Sequence, residues 1–321
     1  MEFVEKNLDL DLIILDLNMP VMNGFEVLQK LKSDEKYAGI RVIILTNYDE
    51  IDNEIRGLEL GAVDYIRKPV NIRSLRIRID IHLKLKQMQR QVEEDNVVLD
   101  RKVAIATKEL VTARDITIQA LVGLLEARNL ESYNHTMRTQ LMMKKLCEHL
   151  SQKAKYRDIM TEGYIMELTT TTPLHDIGKV GVPDSILLKP GKLTPEEYEE
   201  MKKHVGYGVT ALKSNLDPTA ETPSFINTAL EIINYHHEKY DGSGYPNKTK
   251  GKEIPLPGRL MAIIDVYDAL ISKRVYKEAF SFEEANAIIR KDTGSHFDPD
   301  IAEAFLEITS EIEKIVLPYM N

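Results

Sequence analysis

Two adjacent imidazoles, His236 and His237, run into the acidic, glycine-rich stretch Glu238-Lys239-Tyr240-Asp241-Gly242-Ser243-Gly244, closed by Tyr245-Pro246. Imidazole is the commonest protein ligand for transition metals. On a helix the two rings would diverge by about 100°, so the doublet is expected to serve two ions rather than share one. Gly242-Ser243-Gly244 lets the backbone turn sharply and approach a ligand closely. Upstream, Leu174-His175-Asp176-Ile177-Gly178-Lys179 places an imidazole beside a carboxylate. Glu131 and His135 are four residues apart and share one face of a helix. His204 follows a charged amphipathic segment, and Asp265 interrupts the apolar run Leu260-Met261-Ala262-Ile263-Ile264. A carboxylate in such a run is costly to bury unless it is paired or bound to a metal. Mixed imidazoles and carboxylates suit Fe, Mn, Zn or Ni rather than Ca, and a bridging carboxylate suits a multinuclear centre. Taken singly, each residue has a blander reading: a surface or satisfied core histidine, a salt-bridge aspartate, an ordinary Tyr-Pro turn. His82 and His149, on charged helix faces, are left with that reading.

Helices must position these side chains, because strand patterns are hard to find after about residue 116. Helical spacing covers Ile116–Ala127, Tyr133–Leu150, Tyr156–Thr171, Pro195–Ser214, Ser224–His236, Gly258–Ser272, Phe282–Arg290 and Asp300–Ile315. Thr194-Pro195-Glu196-Glu197 combines a cap, a first-turn proline and early acids, and Ser281-Phe282-Glu283-Glu284 is a capping box. The expected domain over 116–321 is all-α, with its ligands spread over several helices.

In this order the motifs resemble the HD-GYP family of metal-dependent cyclic dinucleotide phosphodiesterases over most of residues 120–310. The matching positions are Ala127-Arg128, His135 with Arg138, Leu174 to Lys179, Pro183, Lys189 to Leu193, His204, His236 to Pro246 and Gly251 to Pro255. They continue with Arg259, Asp265 to Leu270, Ser272, Arg274, Tyr276-Lys277 and Phe297-Asp298-Pro299. The resemblance implies that His175, Asp176, His204, His236, His237 and Asp265 ligate metal, with Asp176 bridging. His135 adds a ligand, and Glu131 matches the subgroup with a third ion, giving two or three divalent transition ions in all. Paired ions activate water for in-line attack on a phosphodiester and offset the charge that develops. Asp176 and Lys179 are the expected catalytic residues; Lys179, one helical turn beyond His175, is placed to serve a non-bridging oxygen or the leaving 3′ oxygen. Arg274 and Lys277 clamp a phosphate edge or guanine, although alone they would read as a solvated basic surface. Tyr245 either shapes the loop over the pocket or presents a surface to diguanylate cyclase partners. The implied reaction is hydrolysis of cyclic di-GMP to pGpG, continuing to GMP if Glu131 holds its ion. The alternatives are a dinucleotide-sensing or partner-docking module with negligible turnover, or action on another cyclic dinucleotide such as cyclic GMP-AMP. Three stretches depart from the family pattern: Asn129, Thr169 to Pro173, and Asn247-Lys248-Thr249. The second is expected to distort the helix leading to His175.

The N-terminal third has a different rhythm. Leu12 to Leu15 is a short buried strand ending at Asp16, Arg41 to Leu45 a second ending at Thr46, and Asp64 to Arg67 a third ending at Lys68-Pro69. Helical segments at Gly24–Lys32 and Ile51–Leu60 alternate with them, which implies a parallel sheet with ligands at the carboxyl ends of its strands. With Met19-Pro20, Gly24 and Gly61 to Tyr65, this resembles a response-regulator receiver over residues 8–75. Asp16 is then the phosphate acceptor, Thr46 and Lys68 the phosphate-sensing pair, and Tyr65 the switch aromatic. A receiver begins with a strand bearing an acidic pair that holds Mg²⁺, and the sequence starts about one strand before the acceptor. Two readings of Asp16 stay open: a working switch, or an unphosphorylated relic in a partial flavodoxin-like sheet.

Between these regions, assigned as 1–75 and 116–321, residues 76–115 read as a linker helix. Ile81, Leu85, Met88 and Val92 form one apolar stripe, continued by Leu99, Val103, Ala106 and Leu110 after Asp95-Asn96. The near-heptad spacing fits a parallel coiled coil that makes a homodimer, or a single amphipathic helix packed on its own domain. The chain of 321 residues has one cysteine, Cys147, and a formal charge of −9. The first excludes an internal disulfide and fits a reducing cytoplasm; the second disfavours a nucleic acid polymer as partner. The N-terminus lacks a signal-like apolar core, and no run approaches the ~20 residues needed to span a bilayer. A sensor histidine kinase is the partner a receiver implies.

Overall fold

Three aliphatic runs near the N-terminus supply the fold's parallel strands. The elements there are α1 (Glu2–Lys6), β1 (Leu12–Asp16), α2 (Gly24–Ser33), α3 (Glu35–Ala38), β2 (Arg41–Asn47), α4 (Ile51–Glu59) and β3 (Asp64–Lys68). This computed structural model describes residues 2–7, 9–19, 22–47, 51–129, 133–214, 216–273 and 279–320, excepting the side chains of 129 and 133. Among these residues the strands form one parallel sheet in the order β1-β2-β3. Its register pairs Asp16 with Leu45 and Thr46 with Arg67. Asp16, Thr46 and Lys68 therefore share the carboxyl edge, as the sequence predicts. Val42, Ile43 and Ile44 of β2 are fully buried, and Leu28 and Leu31 of α2 are buried against the same core. Gly24 is required where it stands, since a Cβ there would lie 2.4 Å from the carbonyl oxygen of Asp16.

A single helix, α5 (Ile72–Asn129), follows β3. The sequence suggests a linker and then a new helix from Ile116, but no proline separates them and Gly123 alone is too weak a breaker. One face of its early turns carries cations at four-residue steps. Arg78 and His82 meet Asp64, while Lys86 and Arg90 meet Asp11. The apolar stripe from Ile81 to Val92 is exposed along its length. Met1–Glu109 and Leu110–Asn321 form two separate units.

The second unit is helical: α6 (Tyr133–Ser151), α7 (Glu162–Thr171), α8 (Asp184–Leu187), α9 (Pro195–Lys202), α10 (His204–Lys213), α11 (Ser224–Tyr235), α12 (Leu256–Ile271), α13 (Phe282–Lys291), α14 (Pro299–Glu307) and α15 (Thr309–Val316). Its core joins α6, α12 and α14 through fully buried Met142, Leu146, Leu260, Ile264 and Phe305. Both expected capping boxes form, at Thr194/Glu197 and Ser281/Glu284. Three segments read as continuous differ. The segment from Tyr156 becomes helical only at Glu162, where Thr161 caps Tyr164. The segment from Pro195 breaks at Lys203, whose amide bonds back to Glu200 and tightens the last turn. The last one breaks at Ile308, whose amide bonds to Phe305. No described helix is long and apolar enough to cross a membrane.

Candidate metal centre

The residues before the centre solve a local problem. Thr171 and Thr172 are fully buried, and their hydroxyls donate to the carbonyls of Glu167 at 2.7 Å and Leu168 at 2.8 Å, four residues back. Such bonding satisfies the hydroxyls inside the apolar packing. The expected distortion is real but small: α7 ends at Thr171 and continues as a 3₁₀ turn, Thr172–Leu174, that accommodates Pro173. A second 3₁₀ turn, Ile177–Gly181, carries Lys179. Gly178 presses this turn onto the start of α10, where a Cβ would lie 1.8 Å from the His204 carbonyl oxygen. That contact brings His175-Asp176 against His204.

Each of four histidines is held by its Nδ1. His175 donates to the Thr172 carbonyl at 2.9 Å, His204 to Met201 at 2.8 Å and His236 to Ile232 and Ile233 at 3.0 Å. A carbonyl only accepts, so in the neutral ring Nδ1 carries the proton and Nε2 offers a lone pair. His135 is oriented by a carboxylate instead, with Nδ1 2.7 Å from Asp268 Oδ2. The atoms freed by this arrangement are Nε2 of His135, His175, His204 and His236, and Oδ1 of Asp176. All five are buried and lack a hydrogen-bond partner. They fall in two overlapping clusters, Asp176-His204-His236-His237 and His135-His175-Asp176, with the ligand atoms of each within 4.8 Å of one another. Orphaned polar atoms are costly to bury, and convergent imidazole nitrogens with a shared carboxylate are the donor set of a divalent transition ion. The residues present fit such ions.

The rings of the doublet lie closer than helical divergence suggests. His236 and His237 belong to the same cluster, with ring centroids 3.9 Å apart. α11 ends at Tyr235, and His236 caps it with the backbone still in the αR region, so the close approach of the rings is set by their side-chain directions. Asp265 lies outside both clusters, its Oδ1 4.0 Å from His175 Nε2. Lys179 stands 2.7 Å from Asp176 Oδ2. Burial would raise the Asp176 pKa, but Lys179 and His175 hold it well below the usual carboxylate range. Burial pulls His175 down, yet Asp176 and Asp265 raise it to about 9. His236 is pushed down to about 4 by burial and by His175, and burial lowers His204 and His237 as well.

The glycine-rich loop closes over His237. Tyr245 stacks on that imidazole at 4.7 Å and meets Tyr198 of α9 edge-on at 6.4 Å. Glu238, 1% exposed, latches the loop by accepting the amides of Asn247 at 2.6 Å and Thr249 at 3.1 Å. Burial raises its pKa, partly offset by those amides. The departure at Asn247-Lys248-Thr249 therefore leaves the loop anchored through its backbone.

Glu131, Arg274 and Lys277 lie outside the described residues. His149 pairs with Glu307 and His82 with Asp64, in line with their bland readings. At the carboxyl edge of the sheet, Lys68 is 2.6 Å from Asp16 and Thr46 is fully buried. Asp268 and Glu238 are missed from sequence as supports. Only the three-residue steps from Asp265 to Asp268 and from His135 to Arg138 hint at the first.

A receiver-type sheet followed by a helical histidine–aspartate centre defines the class: a response regulator with a metallohydrolase output. Residues 1–80 match the response regulator receiver domain and residues 120–301 the HD domain. A probable cyclic di-GMP phosphodiesterase of Vibrio cholerae is 46% identical over 297 residues, covering 92% of this chain and 67% of that protein. A cyclic di-GMP phosphodiesterase of Thermotoga maritima is 34% identical over 319 residues, covering 97% and 82%. A 3′3′-cGAMP-specific phosphodiesterase 2 of Vibrio cholerae is 41% identical over 187 residues, covering 58% and 33%. The chain belongs to the HD domain family, in its HD-GYP response-regulator branch.

Proposed function

We propose that this chain hydrolyses cyclic di-GMP to pGpG, and onward to GMP, under control of its receiver. The observation that carries the reading is the convergence of five buried ligand atoms, none with a hydrogen bond, on two clusters that share Asp176. The substrates named for the Vibrio and Thermotoga relatives support the choice of dinucleotide. His135, His175, Asp176, His204, His236 and His237 would hold the ions, with Asp265 beside them. When bound, divalent ions lower the pKa of water and draw charge from a phosphodiester. The chain's own groups supply the rest. Backbone carbonyls and Asp268 fix the rings, so little reorganisation is needed. Lys179, already beside Asp176, presents a cation to a non-bridging or leaving oxygen. Tyr245 closes the pocket over His237. Glu131 as third-ion ligand and Arg274 with Lys277 as phosphate clamp complete the proposal on sequence grounds.

The donor set suits Fe, Mn, Ni or Zn, and the family resemblance puts Fe or Mn first. A sensor histidine kinase acting on Asp16, with Thr46 and Lys68 as sensors, a diguanylate cyclase at the Tyr245 loop and a cytoplasmic setting belong to the same reading. So does a homodimer, because the exposed stripe of α5 repeats at heptad-like spacing. The decisive experiment loads protein purified without oxygen with Mn²⁺ or Fe²⁺ and presents cyclic di-GMP and cyclic GMP-AMP in parallel. The expected result is pGpG followed by GMP. No product from metal-loaded protein would reject the enzyme and leave a sensing module. Faster cleavage of cyclic GMP-AMP would favour a second reading, supported by the cGAMP-specific relative.

A further inference from the structure

Arg128, in the last turn of α5, is bound to the turn that follows His175-Asp176. Its Nη1 donates to the carbonyl of Val180 at 2.6 Å and, more distantly, to that of Lys179 at 3.4 Å. Its Nη2 donates to the carbonyl of Val182 at 2.8 Å, and Nη2 and Nε both reach Asp184 Oδ1, at 2.6 and 2.9 Å. Only the planar, five-donor guanidinium can serve so many acceptors from one side chain. The Asp184 end is the lesser part, because that carboxylate is 65% exposed and a screened surface ion pair contributes little. The carbonyl end matters more. Lys179, Val180 and Gly181 lie in the 3₁₀ turn that Val182 closes. Lys179 of that turn holds Asp176 at 2.7 Å, and Gly178 seats it on His204. One guanidinium therefore pins the backbone whose side chains orient the carboxylate shared by both ligand clusters.

We propose that Arg128 is a positioning residue for phosphodiester hydrolysis: by clamping the 179–182 carbonyls it fixes Lys179 and Asp176, so the C-terminal turn of α5 sets the competence of the centre. The inference rests on the phosphodiesterase reading. It deepens that reading by giving the long helix a chemical point of action. Loosening the clamp frees the turn without removing any ligand.

The test compares the full-length wild type with Arg128→Ala, Arg128→Lys and Asp184→Ala, each saturated with Mn²⁺. In Arg128→Ala, kcat on cyclic di-GMP should fall about 10- to 100-fold, the size expected of a misplacement near 1 Å. KM should stay within about threefold, with metal content and thermal midpoint close to wild type. Arg128→Lys should behave similarly, since one ammonium cannot span the carbonyls. Added methylguanidinium should restore activity to Arg128→Ala but not to Arg128→Lys. Asp184→Ala keeps the carbonyl bonds and should retain kcat within about threefold. In metal-free protein, amide hydrogen exchange over 177–182 should quicken about tenfold in Arg128→Ala while α12 is unchanged. Wild-type kcat in Arg128→Ala, a kcat loss matched by loss of metal or folded protein, or unaltered exchange over 177–182 would each overturn the proposal. An inactive wild type would reject the phosphodiesterase reading, whereas the exchange measurement needs neither metal nor substrate and judges the clamp separately.

Discussion

His135 Nδ1 lies 2.7 Å from Asp268 Oδ2, and the same carboxylate takes Arg138 through Nε at 2.6 Å and Nη2 at 2.9 Å. Asp268 is 2% exposed. Burial would raise its pKa, but His135 and Arg138 outweigh that and lower it. An ionised Asp268 can only accept, so it fixes the His135 tautomer and leaves Nε2, one of the orphaned atoms, for an ion. Carboxylate–imidazole pairs of this kind orient metal ligands and raise their basicity.

Replacing Asp268 should therefore weaken the centre without touching a ligand atom. Asp268→Asn is expected to lower metal affinity by about 10- to 100-fold, read from the chelator concentration that strips half the metal. It also leaves Arg138 buried beside a neutral amide, so stability should fall by about 3–5 kcal/mol in denaturant titration. A chelator midpoint equal to wild type would remove Asp268 from the site.

Asp176 belongs to both ligand clusters and His237 to one. Asp176→Ala should thus lose more than one ion per chain, whereas His237→Ala should lose about one, by elemental analysis of protein purified without oxygen. Turnover should vanish in the first. Equal losses from the two variants would contradict a shared carboxylate.

The ligand types were legible because chemistry restricts them: few roles other than metal binding suit several histidines and aspartates set against apolar helices. Their grouping was not. Whether His236 and His237 meet depends on side-chain directions at the C-cap of α11, which residue spacing does not fix. The strand ends at Asp16 and Lys68 were readable from short aliphatic runs, and that of β2 to within one residue, Asn47 rather than Thr46, while the continuity of α5 through residue 116 was hidden by a change of composition rather than a break. Asp268 stayed unread because its role depends on Arg138 and His135, about 130 residues away in the chain. Gly178 was visible as a glycine, but the backbone it accommodates was not.

That close approach gives a sharp steric test. A Cβ at Gly178 would sit 1.8 Å from the His204 carbonyl oxygen and 2.4 Å from the Gly208 nitrogen, and neither atom can swing aside. Gly178→Ala should force the turn off α10, cost roughly 1–3 kcal/mol or more, and abolish both metal retention and turnover. Gly206, also in α10, has nothing within 4 Å of its added Cβ. Gly206→Ala should instead stabilise by about 0.5–1 kcal/mol through helix propensity. Thermal midpoints and metal content of the two variants check the contrast; a tolerated Gly178→Ala would refute the packing.

The receiver unit offers a pH test remote from the metal ligands. Asp64, at the start of β3, accepts Arg78 Nη1 at 2.6 and 2.7 Å and lies 3.3 Å from His82 Nε2. Burial raises its pKa, but Arg78, the Tyr65 amide and His82 outweigh that and lower it below 3.8. A carboxyl with a depressed folded pKa binds fewer protons folded than unfolded, so its stabilisation is full above the unfolded value of about 3.9 and is lost as pH falls through the folded one. Arg78 is 43% exposed, which screens the pair and limits it to about 1 kcal/mol. Asp64→Asn should then shift the denaturant midpoint of the receiver unit at pH 7, followed by hydrogen exchange of β2 and β3. As pH falls below about 3.9 the shift should shrink, because the unfolded carboxyl is protonated there and the folded one loses its charge in turn. Arg78→Met should reproduce the pH 7 shift and add little in the double variant. A shift that keeps its size as pH falls would mean that shape, not charge, ties Asp64 to the helix.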